Sequence, residues 1–144
     1  MICVDASVAL KWAVREDHSD HADRLRRDAE RADEALVAPH LFRFELTNSV
    51  RRRMLRFGLP IADARQLIVD LLASPIVTLL TFDQLHPRAL EIADAHGLPA
   101  AYDAHYVALA ELLGCEFWTA DERVVERLGT DFPFVRWLGS YPIA

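Results

Sequence analysis

Only two of the 144 residues are cysteine, Cys3 and Cys115. Both lie in apolar surroundings and are too few for a disulfide framework, so a reduced, cytoplasmic setting is the simpler expectation. No apolar run approaches the roughly 18 residues that a membrane span needs. No basic segment precedes the first apolar run, so a secretory signal is not expected. Repeats, low-complexity tracts and linkers are absent too, and the length suits one domain over residues 1–144 with a core of its own. Positive charge is in deficit, with 16 basic against 22 acidic residues and a formal net charge of −6. That argues against gripping nucleic acid through a broad basic face. It argues less against a site in which bound cations supply the positive charge.

What is present is a mixture of 52% hydrophobic and 26% charged residues, the balance of a folded globular chain. Met1-Ile-Cys-Val-Asp5 is an apolar run that stops on a carboxylate, and Phe117 to Ala120 repeats the device before Asp121. Between them, short strand-like runs alternate with helical ones. A helix is expected over 7–14. The stretch 15–34 holds 13 Asp, Glu or Arg residues, with Ala22, Leu25, Ala29 and Ala32 at helical spacing, which predicts an amphipathic helix with a solvated charged face. His18 and His21 stand three apart, but no other soft ligand is near in sequence, and a surface pair is the simpler reading.

A short strand is expected over 35–38, with Pro39 in the first turn of a helix running to about Phe57. Phe42, Leu46, Val50, Met54 and Phe57 form its apolar stripe. Gly58-Leu-Pro60 ends it, and a second helix to Ala73 completes a helical hairpin. A buried strand over 76–80 follows, then a helix ending near Gly97 and another over 101–114 with Asp103 in its first turn. A strand ending at Asp121, a short helix to Leu128 and a last strand over 134–137 complete the chain. Alternating strands and helices predict an α/β fold around a mainly parallel sheet.

Four carboxylates stand out: Asp5, Glu45, Asp103 and Asp121. Each has a structural explanation. Asp5 and Asp121 suit helix N-caps, Asp103 suits the positive end of a helix dipole, and Glu45 can bond to Asn48 or Ser49 one turn on. As a set they carry more. Asp5 and Asp121 end strands, whereas Glu45 and Asp103 begin helices that leave the same sheet edge, beyond which ligands bind in open parallel sheets. Six pairs of unit charges about 5 Å apart would repel by a total on the order of 10–20 kcal/mol at an effective dielectric of 20. Such a nest takes up protons or holds cations. Oxygen ligands alone favour a hard ion, Mg²⁺ or Mn²⁺, and an acidic pocket holding one or two such ions suits phosphodiester hydrolysis. Arg51, Arg52, Arg53 and Arg56, with Arg43 nearby, are either phosphate contacts or a solvated helix face. His105, two residues from Asp103, reads as structural.

These residues fall in pieces that resemble the PIN-domain ribonucleases, and among them the VapC-type toxins of bacterial toxin–antitoxin pairs. The pieces are Val4-Asp5-Ala-Ser7, Pro39-His-Leu-Phe-Arg-Phe-Glu45-Leu-Thr-Asn48, Tyr102-Asp103-Ala-His-Tyr-Val-Ala-Leu-Ala110 and Thr119-Ala-Asp121-Glu-Arg. They stand in the family's order and span nearly the whole chain. The resemblance implies a three-layer α/β/α sandwich around a mainly parallel sheet and Mg²⁺- or Mn²⁺-dependent endonuclease activity on RNA. It implies that Asp5, Glu45, Asp103 and Asp121 are the acidic quartet that holds metal, and that Ser7 and Thr119 support it. It further implies a homodimer and a cognate antitoxin that obstructs the site. Two other readings compete: a phosphatase of the haloacid dehalogenase type, which wants a D-x-D start where this chain has Asp5-Ala-Ser7, and an acidic pocket that docks a basic peptide without chemistry.

Overall fold

The computed structural model describes residues 1–144. In chain order the elements are β1 (Ile2–Val4), α1 (Ala6–Ala13), α2 (Ser19–Arg31), β2 (Leu36–Pro39), α3 (Phe42–Phe57), α4 (Ile61–Ala73), β3 (Val77–Leu80), α5 (Leu85–Ala95), α6 (Tyr102–Leu113), β4 (Glu116–Thr119), α7 (Glu122–Leu128) and β5 (Val135–Trp137). The five strands form one sheet in the order β3-β2-β1-β4-β5, and every pairing is parallel. From β1 the chain moves to one side to lay down β2 and β3, then crosses to the other side for β4 and β5. The strand order therefore reverses between β1 and β4, and a crevice opens beyond their carboxyl ends.

Alternation along the strands shows why helices cover both faces. Cys3, Val37 and Phe117 belong to one apolar cluster with α5 and α6, through residues such as Ile92 and Leu109. Their strand neighbours Val4, Leu36 and Trp118 belong to a second cluster with Val8 of α1 and Leu25 of α2. Successive side chains point to opposite faces, so a sheet apolar at both parities needs cover on each side. The predicted three-layer α/β sandwich is the observed architecture. No helix is long and apolar enough to cross a membrane.

Several local expectations need correction. Pro39 ends β2 rather than opening a helix; α3 starts three residues later, at Phe42. The stretch 15–34 is a turn followed by α2, and α2 begins only at Ser19. The buried Ser19 hydroxyl makes that turn, accepting from the Glu16 N–H at 3.0 Å and donating to the Val14 carbonyl at 3.1 Å. Ala22, Leu25 and Ala29 form the buried stripe, while Ala32 lies beyond the helix and is exposed. β3 is half-buried, not buried, because it is the sheet edge with β2 as its one neighbour. The hairpin is as predicted: Gly58, at φ +68, closes α3 in the left-handed region that glycine enters without a steric cost, and Pro60 precedes α4.

The stripe of α3 is shorter than expected. Phe42, Leu46 and Val50 are buried, Met54 is partly covered, and Phe57 is 60% exposed. The helix packs on α1 and α4, and at its exposed last turn Phe57 has the Arg53 and Arg56 guanidiniums 4.7 and 5.1 Å from its ring centre. Leu46→Ala is expected to cost about 2–5 kcal/mol and Phe57→Ala no more than about 0.5 kcal/mol. Urea unfolding of the two variants checks this; equal losses would contradict the boundary drawn here.

Candidate active site

β1 ends at Val4, and Asp5 turns the chain into α1. Its carboxylate caps that helix: Oδ1 accepts from the N–H groups of Ser7 at 3.0 Å and Val8 at 3.3 Å, and from the Ser7 hydroxyl. Oδ2 accepts from the Thr119 hydroxyl, at the end of β4, at 2.6 Å. Both hydroxyls work twice. Ser7 Oγ accepts from the Ala120 N–H at 2.9 Å, and Thr119 Oγ1 accepts from the Asp121 N–H at 3.1 Å. The two strand ends that flank the crevice are thus tied through one carboxylate that is only 8% exposed. Burial pushes Asp5 up to about 6, against the pull of the Ser7, Thr119 and Val8 donors, and nearby Asp103 adds to the rise.

Glu45 projects from the first turn of α3. It does not bond to Asn48 or Ser49: its Oε1 is buried with no hydrogen-bond partner, and so is the hydroxyl of the buried Tyr106. The phenol lies near enough to favour the carboxylate, yet not in hydrogen-bonding geometry. Burial lifts Glu45 to about 7 against that pull, with Asp5 and Asp103 adding to the rise. Two unsatisfied buried polar groups cost on the order of 1–3 kcal/mol each, so this spot is built to receive something. Asp103, in the first turn of α6, is half-buried and has no protein donor; burial raises it, Asp121 adds to that, and Arg127 and Arg123 oppose it.

Asp121 stands at the margin. It caps α7 through the Arg123 N–H at 3.0 Å and is gripped by the Arg123 guanidinium at 3.1 Å on each oxygen. Burial alone would raise it, but the bonds to Arg123 outweigh that and hold it below the usual carboxylate range. With Asp103 it lines a small cavity of about 160 Å³. The four acids lie at one sheet edge without closing into a nest: Asp5, Glu45 and Asp103 feel one another's charge, and Asp121 acts on Asp103. No three Asp, Glu, His or Cys side chains are drawn together as a ready ligand cage. The six-pair repulsion expected from the sequence is correspondingly too large. Desolvation, not mutual charge, is the leading cause at Asp5, Glu45 and Asp103.

A polar cavity of about 810 Å³ opens beside Ser7 and Asp121. Arg52, Arg53 and Arg56 line it; Arg51 is exposed elsewhere, and Arg43 lines a separate apolar cavity of about 450 Å³ with Trp12, Phe42 and Leu71. Sequence reasoning missed Lys11, the chain's single lysine, which is buried in the polar cavity's wall. Glu16 holds it at 3.0 Å and holds Arg53 at 2.8 Å. The signal for Lys11 was its place one helical turn after Ser7, and for Tyr106 its place three residues after Asp103. His105 is structural as expected, its Nδ1 2.6 Å from the Ala101 carbonyl and its Nε2 3.1 Å from His86 Nδ1. His18 and His21 join no metal-holding group.

Residues 2–129 match the family model of the PIN domain. The chain is 38% identical over 124 residues to the VapC ribonuclease Mb0985 of Mycobacterium bovis, a match covering 86% of this chain and 88% of that one. It is equally similar to Ribonuclease VapC9 of Mycobacterium tuberculosis. Among solved structures it resembles PAE2754 from Pyrobaculum aerophilum, with a TM-score of 0.67, 23% identity and coverage of 95% of this chain and 90% of that one. It also resembles Mycobacterium tuberculosis VapC20, a sarcin-ricin loop cleaving toxin, with a TM-score of 0.65, 19% identity and coverage of 94% and 99%. At those identities the two structures bear on the fold alone.

The carboxylate shifts set a pH dependence. The folded values of Asp5, about 6, and Glu45, about 7, lie above their ordinary values of 3.8 and 4.5. The fold therefore binds these protons more tightly than the unfolded chain does. Their contribution to stability is complete below the ordinary values and is lost as pH rises through 6 and then 7. With divalent ions chelated, the unfolding midpoint should fall between pH 5 and pH 8. His96, raised by the Ile92 carbonyl and by Asp131, titrates in the same sense, so the comparison with Asp5→Asn isolates the carboxylate. That variant should show a visibly flatter slope; parallel slopes would contradict the burial of an ionisable Asp5.

Proposed function

The chain belongs to the PIN-domain family, and from that premise we propose that it is a metal-dependent endoribonuclease, the toxin of a toxin–antitoxin pair, with residues 1–144 as one nuclease domain. The observation that supports this best is the placement of Asp5 where the strand order reverses, with Glu45 and Asp103 near enough to act on its charge. Both relatives of 38% identity are named as ribonucleases. In this reading Asp5, Glu45, Asp103 and Asp121 are the catalytic, metal-holding residues. Their chemistry fits a hard divalent cation, Mg²⁺ or Mn²⁺: all donors are carboxylate oxygens, Glu45 Oε1 has no protein partner, and Asp103 has no protein donor. A cation bound there supplies a nucleophile at neutral pH and neutralises charge that builds on the phosphate.

The chain's own groups prepare that chemistry. Ser7 gives Asp5 two bonds and the Val8 N–H a third from one side of the crevice, and Thr119 gives one from the other. Ser7 and Thr119 are positioning residues of the kind that orient a metal-holding carboxylate. Asp121 enters the site when Arg123 releases it, and a phosphate is a natural competitor for that guanidinium. Arg52, Arg53 and Arg56 offer further phosphate contacts. His105 is not needed as a base, because its Nδ1–H is committed to the Ala101 carbonyl, and its Nε2 accepts from His86.

RNA and a cognate antitoxin are the partners, in the cytoplasm. The apolar cavity between α1, the α3–α4 hairpin and β3 is the seat we assign to the antitoxin. The exposed apolar residues of the hairpin, Phe44, Leu55, Ile61 and Val69, are the face we assign to a homodimer. A haloacid dehalogenase-like phosphatase has no support left, since the family model spans 2–129 and no D-x-D start exists.

Sequencing RNA fragment ends after brief induction tests the nuclease. Parent protein should yield discrete new ends, and Asp5→Asn or Asp103→Asn should lose more than about 100-fold of the cleavage, with Ser7→Ala and Thr119→Val losing roughly 10- to 100-fold. Isothermal titration with Mn²⁺ should show a specific site in the parent that Asp5→Asn weakens. Undiminished cleavage by Asp5→Asn would mean that the residue roles are misassigned, and the absence of any Mn²⁺ site would favour a non-catalytic acidic pocket.

A further inference from the structure

The polar cavity has an aromatic wall as well as a cationic one. Trp137 ends β5 and pairs in register with Thr119, the residue whose hydroxyl holds Asp5. Adjacent strands lie about 4.8 Å apart, so Trp137 stands one strand over from Thr119 and Asp121 and two from Asp5, at the same sheet edge. His18 packs edge-on against it, with ring centroids 5.2 Å apart, and His21 buttresses His18 at 5.3 Å. His21 is itself anchored, its Nδ1 2.7 Å from the Tyr141 carbonyl.

The ring is fixed from beneath too. A Cβ on Gly139 would fall 2.3 to 2.6 Å from the Trp137 ring atoms, so the indole lies flat against a bare backbone that no other residue leaves open. His18 pays for its place with φ +65, a left-handed conformation that is uncommon outside glycine and that gathers at functional sites. Trp12 and Trp118 spend their indole N–H groups on the Ala22 carbonyl and a Glu116 oxygen, both at 2.9 Å. Trp137 has no protein acceptor, and the residue lies partly buried in the cavity wall.

Across the cavity stand Lys11 and Arg53, held in place by Glu16, with Arg52 beside them. We infer that this cavity takes an unpaired nucleotide of single-stranded RNA, its base stacked on Trp137 and edged by His18, its flanking phosphates on Lys11, Arg52 and Arg53. The inference rests on the nuclease reading and goes beyond it by naming the residues that select an unstacked base. A rigid ring beside a cationic edge is the pattern by which proteins hold single strands without reading base edges. A duplex keeps its bases stacked on one another and cannot present one to the indole. The selection is therefore for strand state first, and for base identity only through stacking strength.

The experiment uses the full chain carrying Asp5→Asn, so that RNA is bound and not cut, with fluorescein-labelled octamers of uridine, cytidine or adenosine and a duplex of the same length as probes. Single strands should bind more tightly than the duplex. Trp137→Leu should weaken the octamers by roughly 5- to 100-fold, while Trp137→Phe retains most of the affinity and His18→Ala loses part of it. The salt dependence separates stacking from charge: Arg53→Ala should reduce the slope of log affinity against log salt by about 0.7, and Trp137→Leu should leave it unchanged. A purely structural role for Trp137 would not give Phe rescue with an unaltered slope. Equal octamer affinity in parent and Trp137→Leu, or a duplex that binds as well as the single strands, would overturn the proposal. If the wild-type chain cuts RNA but octamer binding ignores Trp137, only the stacking wall is wrong. If octamers depend on Trp137 while the wild-type chain leaves RNA intact, the wall stands and the nuclease reading falls.

Discussion

A carboxylate with almost no access to water must be matched donor for donor, and Asp5 is where this fold meets that demand. Its four bonds come from α1 on one side and from the tip of β4 on the other. They close the junction between the two central strands and aim the side chain at the crevice. Removing any donor would leave a buried charge short of a partner, which is among the costlier defects a protein can carry. The same bonds thus serve the cap of a helix, the seam of a sheet and the geometry of a site. Capping a helix and joining two strands leave Asp5 compatible with the catalytic role proposed for it.

The remaining acids show how like charges are made tolerable in one place. Asp121 is neutralised by Arg123, while Glu45 and Asp5 have been lifted far enough that a proton is within reach near neutrality. A cation bound there, as proposed, would have to displace those protons, and its affinity would rise with pH. Tyr106 adds a low-polarity wall behind Glu45, with burial and the adjacent carboxylates keeping its phenol protonated. Stacked on Phe117 at 5.3 Å, it belongs to the core as much as to the crevice.

Much of this was readable from the chain because strand-then-acid is a local pattern. Asp5 and Asp121 each end an apolar run, and the run fixes both the strand and the edge at which it stops. The alternation of elements gave the parallel sheet for the same reason. What could not be read depended on partners far away. Phe57 has the right spacing for a stripe, but nothing local says where the cover from α1 and α4 ends. The span 76–80 is as apolar as a central strand, and only the pairing order makes it an edge. Glu45 appeared to have local partners one turn on, whereas its true neighbour is a phenol 61 positions away. Trp137, Lys11 and Glu16 line a cavity assembled from separate elements, for which no short motif exists. The resemblance to the family carried the quartet; it was silent about that wall.

The seam between β1 and β4 also sets a timetable. The first strand is made well before its partner: the Thr119 hydroxyl that completes Asp5 is 114 positions further on. Pairing at such separation is slow and comes late, and chains generally acquire their long-range contacts only once the later segments have emerged. A chain without β4 therefore lacks the donor that closes Asp5 from the far side. By this topology the crevice beyond β1 and β4 is complete only when β4 has joined the sheet.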